Sequence, residues 1–136
     1  MIRSKFAIIT HIATFLAKYN DEWISSSHLA KSININPVLV RKELALLKSK
    51  NIIESKEGKN GGVRLSKNAS NIKLSDIFEL VKGDDYIFGY SKNKGNPECP
   101  IGGQMNENLT KLYEELDDLI KGKLAKISLE EFKNQF

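Results

Sequence analysis

Apolar side chains recur at helical spacing from the start of the chain. Over residues 4–19, Ala7, Ile8, His11, Ile12, Phe15, Leu16 and Tyr19 fall on one stripe, which predicts an amphipathic helix. Asn20, Asp21 and Glu22 break it, and Trp23-Ile24 reads as a short extended piece. Ser25 or Ser26 can cap a second, short helix whose inner face is Leu29, Ala30 and Ile33. A third helix follows over 37–50, with Asn36 as N-cap and Pro37 as its first residue. At about 100° per residue, Val40, Leu44 and Leu47 share its core face and Leu39 and Leu46 widen that face. The opposite arc holds Val38, Arg41, Lys42, Ala45, Lys48 and Ser49.

The period then changes. Ile52-Ile53 and Val63-Arg64-Leu65 flank Gly58, Asn60, Gly61 and Gly62, the pattern of a β-hairpin. Residues 74–82 predict a short helix with Leu74, Ile77, Phe78 and Val81 inward, and 83–98 a loop. From about Pro100 to Leu124 an apolar series, Ile101, Met105, Leu109, Leu112, Leu116, Leu119 and Leu124, predicts the longest helix. Ser128 with Glu131 opens a final short one. The fold class is mainly α with a small β-hairpin wing: a winged helix-turn-helix plus a long helix. We divide the chain into a winged helix-turn-helix over 1–82, a loop carrying Cys99 over 83–99, and the long and C-terminal helices over 100–136.

Composition sharpens this. With 136 residues, 40% of them hydrophobic, the chain is long and apolar enough for a core of one domain, with or without a helical arm. No apolar run approaches the roughly 20 residues of a membrane span, and the polar Thr10, His11 and Thr14 make the first helix a poor signal peptide. A single cysteine excludes an internal disulfide and a cysteine-only metal site, and a cytoplasmic setting is expected. The net charge of +4 is unevenly placed: residues 1–67 carry 12 basic and 5 acidic side chains, residues 68–136 carry 9 and 12. A basic front half points to a polyanion as partner.

Two short helices, a tight turn, a helix with a basic outer face and a glycine-tipped hairpin suit double-stranded DNA. The major groove admits one α-helix, which reads base edges near its N-terminal end. Here that end presents Val38, Arg41 and Lys42, with Lys48 further along the same face. Asn36 and Pro37 begin the helix, where free backbone N–H groups can hold a phosphate. Ser25, Ser26 and Ser27 offer hydroxyls to the DNA backbone, and Lys56, Lys59 and Arg64 would reach it from the hairpin tip. Two other readings stay open: a protein-interaction module docking on an acidic patch, and a regulator sensing a small molecule, for which Tyr86, Phe88 and Tyr90 are candidates. No phosphate-binding glycine loop, metal motif or paired acid and base appears, so an enzyme is not expected.

The stretches SSSHLAKSININPVLVRKELALLKSKNIIES, GKNGGVRLSKNASNIKLSDIFELVKG and NPECPIGG resemble the Rrf2 family of bacterial winged-helix transcriptional regulators over nearly the whole chain. Within the family the sequence looks most like the YwnA-like members, which lack the cluster cysteines. The resemblance implies a homodimer on a palindromic operator, with residues about 100–124, including Leu109, Leu112, Leu116 and Leu119, as the dimerisation helix. Many members carry Arg-Gly at the wing, where this chain has Glu57-Gly58, and some carry a glutamate in the recognition helix where this chain has Arg41. Cluster-binding members use three cysteines before the long helix. Cys99 matches one of them and the other two are absent, so no iron–sulfur cluster or other cofactor is expected. Cys99 remains a candidate redox thiol, made acidic by the start of the following helix, or else a packing residue or a relic.

Overall fold

A computed structural model of the chain describes residues 2–136, with side chains from Ser4 onward. Helix α1 (Ile2–Lys18) crosses the centre, and Ile9, Ile12 and Leu16 on it are fully enclosed. Helices α2 (Ser26–Ile33) and α3 (Pro37–Ser49) follow. Strands β1 (Ile53–Lys56) and β2 (Gly62–Leu65) pair antiparallel with Ile53 opposite Leu65 and Lys56 opposite Gly62. A 3₁₀ turn (Ala69–Asn71), α4 (Leu74–Lys82), α5 (Met105–Leu124) and α6 (Leu129–Lys133) complete the order.

Local chemistry sets the boundaries. Ser25 Oγ accepts from His28 N at 3.1 Å and starts α2, and Asn34 ends it in the left-handed region at φ 64°. Asn36 Oδ1 accepts from Val38 N at 2.9 Å and Pro37 takes the first position of α3. Asn34 to Asn36 thus make a short turn between two helices. The extended piece at Ile24 hydrogen-bonds Val63 in both directions, at 2.9 and 2.8 Å, which sews the hairpin to the α1–α2 connection. Gly62, at φ 152°, is required there: a Cβ would lie 2.4 Å from the Ile24 carbonyl oxygen.

The core joins α1, Leu29 of α2, Val40 and Leu47 of α3, Ile53 of β1, Ile77 of α4 and Leu129 of α6. Each such side chain, fully enclosed, contributes about 1.5–3 kcal/mol. The C-terminal segment is part of this body, because Leu129 N donates to Ile72 O at 2.7 Å and Leu74 N to Ile127 O at 2.9 Å.

Two expectations need correction. The long helix begins at Met105, and residues 100–104 are turns. Gly102 and Gly103 fold back there against the backbone of Asn96, Pro97 and Cys99, so the apolar pattern through Ile101 belongs to a turn. Leu39 does not widen the core: it is 49% exposed, on the flank of α3. The arc it was assigned to is filled by Glu43, which is 6% exposed.

Candidate nucleic-acid interface

Helix α3 lies across α2 with Val40, Leu44 and Leu47 inward. Its other side faces solvent: Val38 is 59% exposed, and Arg41, Lys42, Ala45, Lys48 and Ser49 are all exposed. Val38, Arg41 and Lys42 stand at i, i+3 and i+4, one patch on the first turns of the helix. Among the described residues neither Arg41 nor Lys42 enters an ion pair or a side-chain hydrogen bond. Two cations without a protein partner are therefore presented from the end of a helix flanked by a turn.

Several other predicted contacts are committed elsewhere. Arg64 is not at the hairpin tip. It sits on β2, donates Nε to Glu54 Oε1 at 2.6 Å and stacks 4.1 Å above the Trp23 ring. Lys56 lies 5.9 Å from the same ring. Lys48 Nζ donates to Ser55 Oγ at 2.6 Å and ties α3 to the hairpin. Ser25 and Asn36 spend their side-chain oxygens as helix caps. The expectation of free N–H groups at the start of α3 also fails, since Val38 N is taken by Asn36 Oδ1 and Leu39 N by Asn36 O. Ser26 is half-buried, Ser27 is exposed, and Pro37 is half-buried. The hairpin tip is left with Lys59, exposed beside Gly58 at φ 91°.

Sequence reasoning missed two buried carboxylates. Glu43 Oε2 lies 3.9 Å from Lys5 Nζ, linking the recognition-type helix to α1. A lone acid on the core arc of α3 was the signal. Asp117 is 4% exposed on α5, 3.9 Å from Lys82, and its Oδ1 accepts from Ile87 N at 3.4 Å. It fixes the loop after α4. The loop aromatics gather on Tyr113: ring centroids of Tyr86, Phe88 and Tyr90 stand 6.1, 5.9 and 5.4 Å from it. Tyr113 Oη also donates to Gly89 O at 2.7 Å. These rings pack on the helix and do not frame an open cleft.

Cys99 is partly exposed within a built turn. Its N donates to Asn96 O at 3.1 Å, its O accepts from Gly103 N at 2.8 Å, and its Sγ accepts from Gly102 N at 3.4 Å. The backbone N–H groups of Gly102 and then Ile101 hold the thiol below its usual pKa, with burial opposing them weakly. The cause is therefore the turn itself and not the start of α5, which lies six positions on.

On α5, Met105, Leu112 and Leu119 are 43%, 47% and 71% exposed, seven residues apart. Leu109 and Leu116 are half-buried between them. The five alternate at four and three residues, the spacing of a coiled-coil seam.

A turn-linked helix pair, an outward basic helix end and a hairpin sewn alongside define a winged helix-turn-helix DNA-binding regulator. A sequence profile of the Rrf2 family, described as iron-dependent transcriptional regulators, matches residues 2–135. The HTH-type transcriptional regulator YwnA of Bacillus subtilis (strain 168) is 33% identical over 134 residues, 98% of each chain. The crystal structure of a transcriptional regulator from Lactobacillus plantarum superposes with a TM-score of 0.77 at 25% identity, covering 96% of this chain and 87% of that one. That of a DNA-binding protein gives 0.73 at 30% identity, covering 94% and 97%. The chain belongs to the Rrf2 family: it is a DNA-binding transcriptional regulator and not an enzyme.

The family's description raises the question of iron. A cluster takes about four ligands. This chain offers one cysteine, and among the described residues no three His, Cys, Asp or Glu side chains stand close enough to share a metal ion. His11 Nε2 is engaged with Ser32 Oγ at 2.8 Å, and His28 rests edge-on against Phe15. The donor set of one chain does not fit a resident iron centre. No helix among the described residues is long and apolar enough to cross a membrane.

Proposed function

We propose that this chain is a homodimeric repressor that binds a palindromic operator without an iron–sulfur cluster, and that oxidation of Cys99 adjusts its affinity. The observation that carries the reading is the pair Arg41 and Lys42, exposed on the outward face of α3 and without an ion-pair partner among the described residues. In this reading two copies join along the α5 seam of Leu109, Leu112, Leu116 and Leu119, and the two α3 helices enter successive major grooves about one helical turn apart. Arg41 reads guanine through its O6 and N7, Lys42 and Lys59 neutralise phosphates, and Ser26 and Ser27 add short hydrogen bonds to the DNA backbone. Repression asks only for occupancy of a promoter, and no further surface need be invoked.

The redox step is simple. A peroxide meets the Cys99 thiolate, the sulfur pair forms an S–O bond as the O–O bond breaks, and hydroxide leaves, giving a sulfenic acid. Sγ, which in the reduced thiol accepts from Gly102 N, then carries an oxygen inside the turn that leads into α5. The lowered thiol pKa supports this reading, because the thiolate is the reactive form.

The test is an anisotropy titration of the DNA upstream of the protein's own gene, against scrambled DNA, with reduced protein, peroxide-treated protein and Cys99→Ser. Selective binding that peroxide weakens only when Cys99 is present is the expected result. Selective binding indifferent to peroxide removes the redox role and leaves the regulator. Equal binding of both DNAs at every salt concentration removes the self-regulating repressor.

A further inference from the structure

Val38 is an apolar side chain on the outward, basic face of α3. It projects from the first turn of α3, on the side opposite Leu44 and Leu47, and is 59% exposed. Arg41 and Lys42, one turn along, flank it with charge. Among the described residues no side chain closes over it. A β-branched side chain is also stiff at χ1, so it presents two methyl groups in a fixed direction. A helix that only gathered phosphates would gain nothing from an isopropyl group at its tip.

The floor of the DNA major groove offers one apolar group, the C5 methyl of thymine. We infer that Val38 is a specificity-determining residue that packs against a thymine methyl in each half-site, beside the guanine met by Arg41. The spacing suits this. One helical turn is about 5.4 Å and one base step about 3.4 Å, so Val38 and Arg41 reach positions one or two steps apart. The carbon contact also discriminates where the two lysines do not, since Lys42 and Lys59 contact the phosphates common to every sequence. Leu39, 49% exposed, is the neighbouring apolar candidate, but it leans to the flank of α3, towards the half-buried Leu46. The inference rests on α3 as the reading helix, and the experiment separates the two.

Full-length protein is used to select bound duplexes from a random-sequence pool. Each thymine of the selected half-site is then replaced by deoxyuridine, which deletes only the methyl, and affinity is measured by anisotropy. One position per half-site is expected to lose about fourfold on methyl removal, the worth of one buried carbon. Val38→Ala, at an exposed site that leaves the core untouched, is expected to bind methylated and unmethylated DNA alike. Val38→Thr, which keeps one methyl, should retain part of the difference. A 5-methylcytosine at the sensitive position should restore part of the lost affinity for the parent protein only.

A selected site with no methyl-sensitive thymine overturns the inference and leaves α3 as the reading helix. So does methyl sensitivity that survives Val38→Ala and disappears in Leu39→Ala. Selection that enriches no sequence at all overturns the operator reading, and this inference falls with it.

Discussion

Glu43 faces inward on the helix whose outer face carries Arg41 and Lys42, and the residue is 6% exposed. Among the described residues its Oε2 has no hydrogen-bond donor, and its ion-pair partner Lys5 stands 3.9 Å away, too far for a good hydrogen bond. A buried pair with this geometry adds little stability of its own, yet removing one partner strands the other. Lys5→Met is therefore expected to lower the unfolding free energy by about 1–3 kcal/mol in urea titrations. Glu43→Met, which removes the buried charge and fills the same space, should change stability by less than about 1 kcal/mol in either direction. If Glu43→Met is as damaging as Lys5→Met, the pair is a net stabiliser and this account of it is wrong. Cys99 makes the second residue-level case. Its pKa is lower folded than unfolded because Gly102 and Ile101 donate backbone N–H groups to the sulfur. The thiolate thus favours the fold at pH above the ordinary thiol value, and that contribution is lost as pH falls through the lower, folded value. Iodoacetamide labelling followed against pH should have its midpoint at lower pH in the native protein than in urea. Coincident midpoints would mean that the turn does not hold the thiolate.

The hairpin shows at the element scale how a motif read as DNA-contacting becomes a scaffold. Arg64 spends its charge on Glu54 across the hairpin and its flat face on Trp23, and the second contact fastens the wing to the α1–α2 connection. Stacking and an exposed ion pair each contribute up to about 1 kcal/mol. Arg64→Ala should therefore destabilise the protein by about 1 kcal/mol and leave the salt dependence of DNA binding nearly unchanged. Lys59→Ala should leave stability unchanged and lower the slope of log K against log salt by about one. The reverse pattern in the two salt titrations would return Arg64 to the DNA. The sequence made the elements legible because periodicity records burial: the stripes of α1, α3 and α4, the Asn36-Pro37 start and the glycines of the hairpin each follow from local physics. Periodicity does not record which long side chain meets which. Arg64 faces Glu54 across the ladder only once the register is set, and Trp23 arrives from 41 residues away. The same limit put the start of α5 five residues early, since Ile101 extends the apolar series while Gly102 and Gly103 pack on the backbone of the cysteine turn.

For the whole molecule, the face of α5 turned away from α4 remains open. Tyr113 and Asp117 bury one side of the helix, and the seam of Met105, Leu112 and Leu119 is exposed on another. Water is a poor neighbour for three large apolar side chains in a row, and a second copy presents the same row. In a symmetric pair each substitution acts twice, so burying Leu112 or Leu119 is worth about 3–6 kcal/mol per dimer. Leu119→Glu should then raise the dimer dissociation constant by about 10²–10⁴-fold. Leu119 is 71% exposed and touches none of the enclosed core, so the far-UV circular dichroism of the variant should match the parent. Sedimentation at micromolar concentration distinguishes the outcomes: parent sedimenting as two copies and Leu119→Glu as one supports the α5 seam. Operator affinity should fall along with dimer content, because one α3 helix binds half a palindrome and loses the gain of the linked second contact. Parent and variant both sedimenting as two copies would place the contact on another face, and a parent that sediments as one copy would overturn the α5 seam and the dimer together.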